Sequence, residues 1–187
     1  VLVAGNRAFE GEKIRKQMIT APPGGFHDGA YVPEVLAEDI RAIRSLYLEA
    51  GYRQVSVGYE TENEPAPNGP DKTEGVDKIF VDVRLSIDEG PRTTVKSVSV
   101  EGVSDITLRS PACALAMNPG TPFRDYLLQS EQRELAAMIS EAGYPHVTVT
   151  PEVAVSDDQK SAEIVYNVSP GPYVEMGRAF FAGNFKT

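Results

Sequence analysis

The sequence predicts an α+β fold made of two copies of one β-α-α-β-β unit. The first observation is a repeat, because the tetrapeptide EAGY at residues 49–52 recurs at 141–144, 92 residues later (141 − 49). The second is an amphipathic helical pattern just before each copy, and the third is a pair of strand patterns just after it. Self-similarity at a fixed spacing indicates a repeated structural unit. A helix with a single apolar stripe needs a sheet to cover.

Each unit is predicted to open with a short strand and a first helix. Apolar and β-branched residues indicate strands at 1–4 and 94–101, each followed by a turn that contains glycine. First helices are predicted over residues 10–18 and 106–117. Apolar residues recur at helical spacing in the first of them. The run Asn118-Pro119-Gly120 is a stop signal for the second.

The second helix of each unit has the clearest pattern. In the first unit the apolar stripe is formed by Leu36, Ile40, Ile43 and Tyr47, which are spaced by 4, 3 and 4 residues. The second unit repeats the stripe with Leu128, Leu135, Met138, Ile139 and Ala142. Gly51 and Gly143 follow these stripes, where a glycine in the left-handed conformation commonly ends a helix.

Two further strands are predicted to close each unit. Apolar residues alternate over 55–59 and 80–87 in the first unit, and over 147–150 and 164–168 in the second. The three strands of a unit must pair in one sheet, with the helices on its apolar face and solvent on the other. A three-stranded sheet has two edges, so at least one edge per unit should be open.

The repeat spacing sets the predicted domain bounds. Glu89-Gly90-Pro91 corresponds to Pro170-Gly171-Pro172 at an offset of 81 (170 − 89), so the first unit carries an insert, which we place in a loop within 63–77. We predict a first unit over residues 1–91, with the start of its first strand missing, and a second over 92–171. Residues 172–187 are predicted to hold the first strand of a third unit or a strand leading onward.

Composition excludes several classes of function. The 187 residues are 41% hydrophobic, which is enough for a substantial core. The net charge of −9 gives no general attraction to nucleic-acid phosphates or to anionic lipid. Cys113 is the only cysteine, which excludes an intrachain disulfide and a cysteine-based zinc site. We find no apolar run of the roughly 18–20 residues that span a bilayer.

The arrangement resembles the POTRA domains of the Omp85 superfamily. The likeness rests on the apolar strand that ends in Gly-Asn, the helix that ends in Gly-Tyr, and the last strand that runs into Gly-Pro, in that order and twice. Val103 departs from the pattern, since it replaces the usual asparagine after Gly102. The resemblance implies tandem units, each a three-stranded mixed sheet covered on one face by two helices.

The resemblance also implies a location and partners. It implies a region in the periplasm of a Gram-negative bacterium, ahead of an outer-membrane barrel that inserts or secretes other proteins. The implied partners are unfolded outer-membrane protein clients and periplasmic accessory proteins or lipoproteins. No cofactor, metal or catalytic residue is implied, and the acidic composition argues against nucleic acid.

In the family the second strand of a unit is typically the exposed edge, which here means residues 53–60 and 146–153. An open edge offers unpaired N–H and C=O groups to an extended peptide, and such strand addition tolerates many sequences. The predicted peptide-binding residues are Val55, Val57, Tyr59, Val147, Val149 and Val153. The competing interpretation is that these strands only build the fold and that partners dock elsewhere.

Two alternative functions stay open at this point. One is a rigid spacer or accessory-protein dock of a two-partner secretion or autotransporter-assembly pore. The other is a small periplasmic hydrolase using His27 or His146, the only two histidines. They fall in different predicted units, and Asp157-Asp158 lies in a typical hairpin turn. The sequence therefore favours a binding module over an enzyme.

Overall fold

The computed structural model of the protein describes residues 1–22, 29–65, 79–103 and 115–178. Most of the predicted helix over 106–117, the loop residues 66–77, His27 and most of the predicted strand within 172–187 lie outside these ranges. The chain divides into two compact units. The first contains Val1–Thr94 with the short segments Pro122–Arg124 and Ser156–Ser161, and the second contains Val95–Thr121, Asp125–Val155 and Ala162–Thr187.

The first unit has a three-stranded mixed sheet. Its strands are β1 (Leu2–Ala4), β2 (Ser56–Pro65) and β3 (Ile79–Asp88), in the spatial order β1-β3-β2. β1 runs parallel to β3, and β2 runs antiparallel to it. Two helices, α1 (Gly11–Arg15) and α2 (Pro33–Glu49), lie between β1 and β2 in the chain. The predicted element order of this unit is therefore confirmed.

The second unit repeats the strand order. β4 (Thr94–Glu101), β5 (Thr148–Val155) and β6 (Ser161–Ser169) are arranged as β4-β6-β5, with β5 antiparallel to β6. Helix α3 (Leu128–Glu141) follows a short 3₁₀ turn, Asp125–Leu127, and precedes β5. The predicted α+β class, with a three-stranded sheet and helices in each unit, is confirmed.

The core of each unit lies between the helices and the apolar face of its sheet. Leu36, Ile43 and Tyr47 of the predicted α2 stripe are buried, whereas Ile40 is only partly buried against the core. They pack with alternate residues of β3, Val83, Leu85 and Ile87. In the second unit the buried set includes Leu135, Ile139, Val149, Ile164, Tyr166 and Val168. The apolar residues at helical spacing and those that alternate along the strands thus pack against each other in one core.

Both long helices end as their glycines predict. Gly51 has a φ of +93° and Gly143 a φ of +101°. The N–H of Tyr52 donates to the carbonyl of Tyr47 at 3.0 Å, and that of Tyr144 donates to Ile139 at 3.3 Å. This hydrogen bond over five residues is the Schellman closure of a helix. It turns the chain toward the following strand at the same point in both units.

The starts of β2 and β5 and the end of β2 differ from the prediction. β2 begins at Ser56, because the N–H of Val55 is engaged in a turn with the carbonyl of Tyr52 at 3.3 Å. In the second unit, the N–H of Val147 likewise bonds Tyr144 at 3.2 Å and β5 begins at Thr148. β2 continues to Pro65, so residues 63–65 of the predicted loop belong to a strand.

Candidate peptide-binding edges

β2 and β5 each lie at an edge of their sheet. Within the described part of the chain, β2 pairs only with β3 and β5 only with β6. Each strand therefore has one side whose main-chain groups are not used in a ladder. The positions of these outward groups follow from the register of the hairpins.

In the second unit the register shows which residues of β5 point outward. The N–H of Ser156 donates to the carbonyl of Ser161 at 2.9 Å across the hairpin, so this is a hydrogen-bonded pair. Hydrogen-bonded and non-hydrogen-bonded pairs alternate along an antiparallel ladder. Val149, which is opposite Val168, is therefore in a non-hydrogen-bonded pair. The residues with outward main-chain groups are Val149, Pro151, Val153 and Val155.

The same alternation applies to the first unit. Val57 is opposite Ile87, and these are the repeat equivalents of Val149 and Val168. The outward main-chain groups of β2 are therefore those of Val57, Tyr59, Thr61 and Asn63. Pro65 is also at an outward position, where its lack of an N–H costs no hydrogen bond to β3.

The six predicted residues divide into two kinds. Val55 and Val147 lie in the turns that precede the edge strands, and Val55 is buried in the core. Val57, Tyr59, Val149 and Val153 lie on the strands at outward main-chain positions. Their side chains lean onto the apolar face, where Val149 is buried and Tyr59 is 50% exposed. Such an edge offers main-chain hydrogen bonds more than side-chain contacts.

The solvent face beside β2 is acidic. Glu60, Thr61, Glu62 and Arg84 line a shallow depression there. Oε2 of Glu62 is 2.9 Å from Nη2 of Arg84, and both side chains are more than half exposed. Glu60 has no ion-pair partner among the described residues. Arg84 is directly opposite Glu60 on β3, so two carboxylates share one guanidinium and an incoming strand would meet a net negative charge at this position.

A buried carboxylate in each unit was missed by the sequence analysis. Asp39 is 1% exposed, and its two oxygens accept the N–H groups of Ile19 and Thr20 at 2.7 and 3.0 Å. Glu131 is 2% exposed and accepts the N–H of Met117 at 2.7 Å. The two positions are 92 residues apart (131 − 39), so the repeat itself contained the signal. Each carboxylate ties the segment before a long helix onto that helix.

Glu131 also binds a buried tyrosine. The hydroxyl of Tyr166 donates to Oε2 of Glu131. Burial, and then this hydrogen bond, raise the pKa of the Tyr166 hydroxyl well above its ordinary value. Both carboxylate oxygens of Glu131 are thus engaged within the core, and the arrangement stabilises the fold instead of presenting a reactive acid.

Glu89 forms a third carboxylate contact, in the first unit. Its Oε1 accepts the N–H groups of Arg7 and Ala8 at 2.6 and 2.8 Å and the hydroxyl of Tyr47 at 3.0 Å. Partial burial opposes ionisation of Glu89. The hydrogen bonds from Ala8, Arg7 and Tyr47 outweigh it and hold the pKa of the carboxyl below its ordinary value. The repeat equivalent of Glu89 is Pro170, so the second unit has no such contact.

Of the two histidines of the hydrolase alternative, the structure describes only one. His146 is exposed just before β5, and His27 lies outside the described residues. The part of the chain that the structure describes holds no group of three histidine, cysteine or acidic residues placed to bind a metal ion. Among the same residues, no helix is long and apolar enough to cross a membrane.

Comparison with known proteins identifies the fold. The POTRA family model, described as a surface antigen variable number repeat, matches residues 1–90. The crystal structure of Haemophilus influenzae BamA POTRA3-5 matches 92% of this chain with 23% identity and a TM-score of 0.51. The chain spans 65% of that structure.

Two further structures are similar at lower scores. BamA from Haemophilus ducreyi lacking POTRA domains 1-3 is 16% identical, with 86% of this chain and 27% of that chain covered and a TM-score of 0.48. POTRA1-2 of the periplasmic domain of Omp85 from Anabaena is 21% identical, with 93% and 94% covered and a TM-score of 0.42. The POTRA family match thus covers the first unit, residues 1–90, and the two units together share the fold of BamA POTRA3-5.

Proposed function

We propose that this chain is a periplasmic receptor region of an Omp85-family outer-membrane protein, which binds unfolded client polypeptides before their insertion or secretion. The observation that carries the proposal is that β2 and β5 each lie at a sheet edge, with one side not used in a ladder among the described residues. An extended segment added to such an edge gains affinity from main-chain hydrogen bonds, so one receptor serves clients of many sequences. Clients that become β-barrel strands are suited to this mode.

The proposal extends to bounds, location and partners. We place the POTRA units at 1–91 and 92–171, in the periplasm of a Gram-negative bacterium and ahead of an outer-membrane barrel. Accessory proteins or lipoproteins are the second class of partner. We propose no catalytic activity. The POTRA match over residues 1–90 supports this, since it points to a non-enzymatic periplasmic domain.

An NMR titration tests the client-binding role. The labelled chain is titrated with unfolded peptides taken from the strands of outer-membrane proteins, and amide shifts are mapped. We expect shifts concentrated on residues 56–65 or 148–155, the edge strands that we assign to the client, and not on β1 or β4 at the opposite edges. Shifts confined to the helices, or none at millimolar peptide, would contradict strand addition.

A second candidate function is that of a rigid spacer. It is favoured by the anchored exit of each unit. The N–H of Thr93 donates to the carbonyl of Gly51, and that of Val174 donates to Gly143, both at 2.8 Å. Nε of Arg92 adds a bond to the carbonyl of Ala50 at 2.9 Å. Amide relaxation separates this candidate, which requires order parameters at Thr93 and Val174 as high as those of α2 and α3.

A further inference from the structure

We infer that the two edge strands are not equivalent: β2 accepts an incoming strand, β5 is closed to one, and the strand that β2 accepts carries basic side chains at alternate positions. This inference rests on the proposed function, because it assumes that clients bind by strand addition. It goes beyond that function by naming which edge acts and which charge pattern it selects.

β5 is closed at two successive outward positions. Nε2 of Gln132, on α3, donates to the carbonyl of Val149 at 2.7 Å, so this outward acceptor is already occupied. Pro151 is the next outward residue and has no N–H to donate. An added strand would lose one acceptor and one donor in the middle of the eight-residue edge. Prolines on edge strands commonly prevent unwanted pairing in this way.

β2 lacks both obstacles at the equivalent positions. The repeat offset of 92 places Ile40 where the second unit has Gln132, and an isoleucine side chain cannot donate a hydrogen bond. Tyr59 stands where the second unit has Pro151 and keeps its N–H. No side chain of the described residues hydrogen-bonds the outward groups of Val57, Tyr59, Thr61 or Asn63. Within the described ranges, no side chain therefore occupies these four alternate positions of β2.

Charge sets the class of strand that fits. Glu60 and Glu62 are exposed on the solvent face of β2, two residues apart, and share one cation, Arg84, which is opposite Glu60 and 2.9 Å from Glu62. Side chains directly opposite on neighbouring strands lie about 4.5–5.5 Å apart, and opposite charges there are favourable. Lysine or arginine at alternate positions of the added strand would face these two carboxylates. β5 has only Glu152 on the matching face of its strand.

The test uses capped nine-residue peptides in which valine alternates with lysine, glutamine or glutamate. We expect the lysine peptide to shift the amides of Val57, Tyr59, Thr61 and Asn63 first, and to bind β2 on the order of tenfold more tightly than β5. That ratio follows because an added strand would lose two hydrogen bonds at β5, and each lost bond lowers the affinity by about 2- to 12-fold. The lysine peptide should also bind more tightly than the glutamate peptide, and added salt should reduce the difference.

Reciprocal variants provide matched controls. Tyr59→Pro removes an outward N–H from β2, as Pro151 does in β5. The affinity of β2 for the lysine peptide should fall by about 2- to 12-fold. Pro151→Tyr combined with Gln132→Ile opens β5 and should strengthen binding there by a similar factor. Glu60→Gln should reduce the preference for lysine over glutamine. If Tyr59→Pro fails to fold, a spin-labelled lysine peptide on the unaltered chain still locates the edge by line broadening.

The outcomes separate this inference from the proposed function. Equal shifts on both edges, or stronger shifts on β5, would overturn the inference and leave client binding by strand addition in place. Tighter binding of the glutamate peptide would overturn the charge preference. If no peptide binds at either edge, strand addition itself fails and the proposed function fails with it.

Discussion

Glu131 holds the second unit together through two buried hydrogen bonds, and its replacement by leucine should be strongly destabilising. The substitution leaves the N–H of Met117 and the hydroxyl of Tyr166 buried without an acceptor. Each unsatisfied group costs about 1–3 kcal/mol, so the free energy of unfolding should fall by about 2–6 kcal/mol. Removing a buried charge works in the opposite direction. It does not compensate here, because both donors remain.

Two further variants make the reasoning quantitative. Glu131→Gln keeps one acceptor oxygen and should cost less than the leucine variant, at about 1–2 kcal/mol. Adding Tyr166→Phe to Glu131→Leu removes one stranded donor and should restore about 1–3 kcal/mol. Glu134→Leu, at an exposed position on the same helix, is the matched control and should stay within about 0.5 kcal/mol of the unaltered chain.

The assay must read the second unit alone, because two units need not unfold in one transition. Native-state amide exchange of α3 and β6 provides this, since the most protected core amides report the free energy of opening. Equal protection in the unaltered chain and in Glu131→Leu would refute the argument. A double variant less stable than Glu131→Leu would also contradict it, because the stranded tyrosine hydroxyl would then not be the cause.

Three further predictions concern other contacts. The pKa of Glu89 is lowered in the folded state, so its stabilising contribution is present above the unfolded value of 4.5 and is lost as pH falls through the folded pKa. In Glu89→Gln, the free energy of unfolding of the first unit, measured with urea, should therefore fall less steeply as the pH is lowered. An unchanged pH dependence would refute this prediction. Gly102→Ala should destabilise far more than Gly120→Ala. A Cβ at Gly102 would lie 2.0 Å from the carbonyl oxygen of Val168, whereas nothing lies within 4 Å of one at Gly120. Thermal unfolding should show that Gly120→Ala, the control, lowers the free energy of unfolding by about 1–2 kcal/mol, from its positive φ alone. Burial raises the pKa of Tyr47 above its ordinary value, so ultraviolet titration should show this tyrosine un-ionised until alkaline unfolding, while Tyr47→Phe removes that late step.

The sequence predicts the fold best in elements whose apolar pattern recurs in both units and marks the residues that are buried. The α2 stripe, the glycines that end both long helices, and the alternation of β3 and β6 all determine buried positions. Side-chain spacing alone locates them. The same patterns also recur at matching positions in both units, which doubles the information available for each element.

Strand ends and buried acids were harder to predict. Val55 continues the alternation of β2 although its N–H belongs to a turn, and side-chain spacing does not distinguish the two. The polar end of β2 reads as a loop, because an edge strand needs few apolar residues. Asp39 resembles a solvent-facing helical acid. Its partners, the N–H groups of Ile19 and Thr20, are main-chain groups and leave no mark in the sequence.

Glu60 and Glu62, two of the three glutamates of β2, also bear on solubility. An open edge strand is a template for another copy of the same chain, and tandem units multiply that hazard. In an antiparallel pairing of two β2 strands, Glu60 and Glu62 of one molecule would face the acidic residues of the other, and like charges directly opposite one another are destabilising. The charges that we expect to attract a basic strand should therefore also keep β2 from joining into fibres at neutral pH.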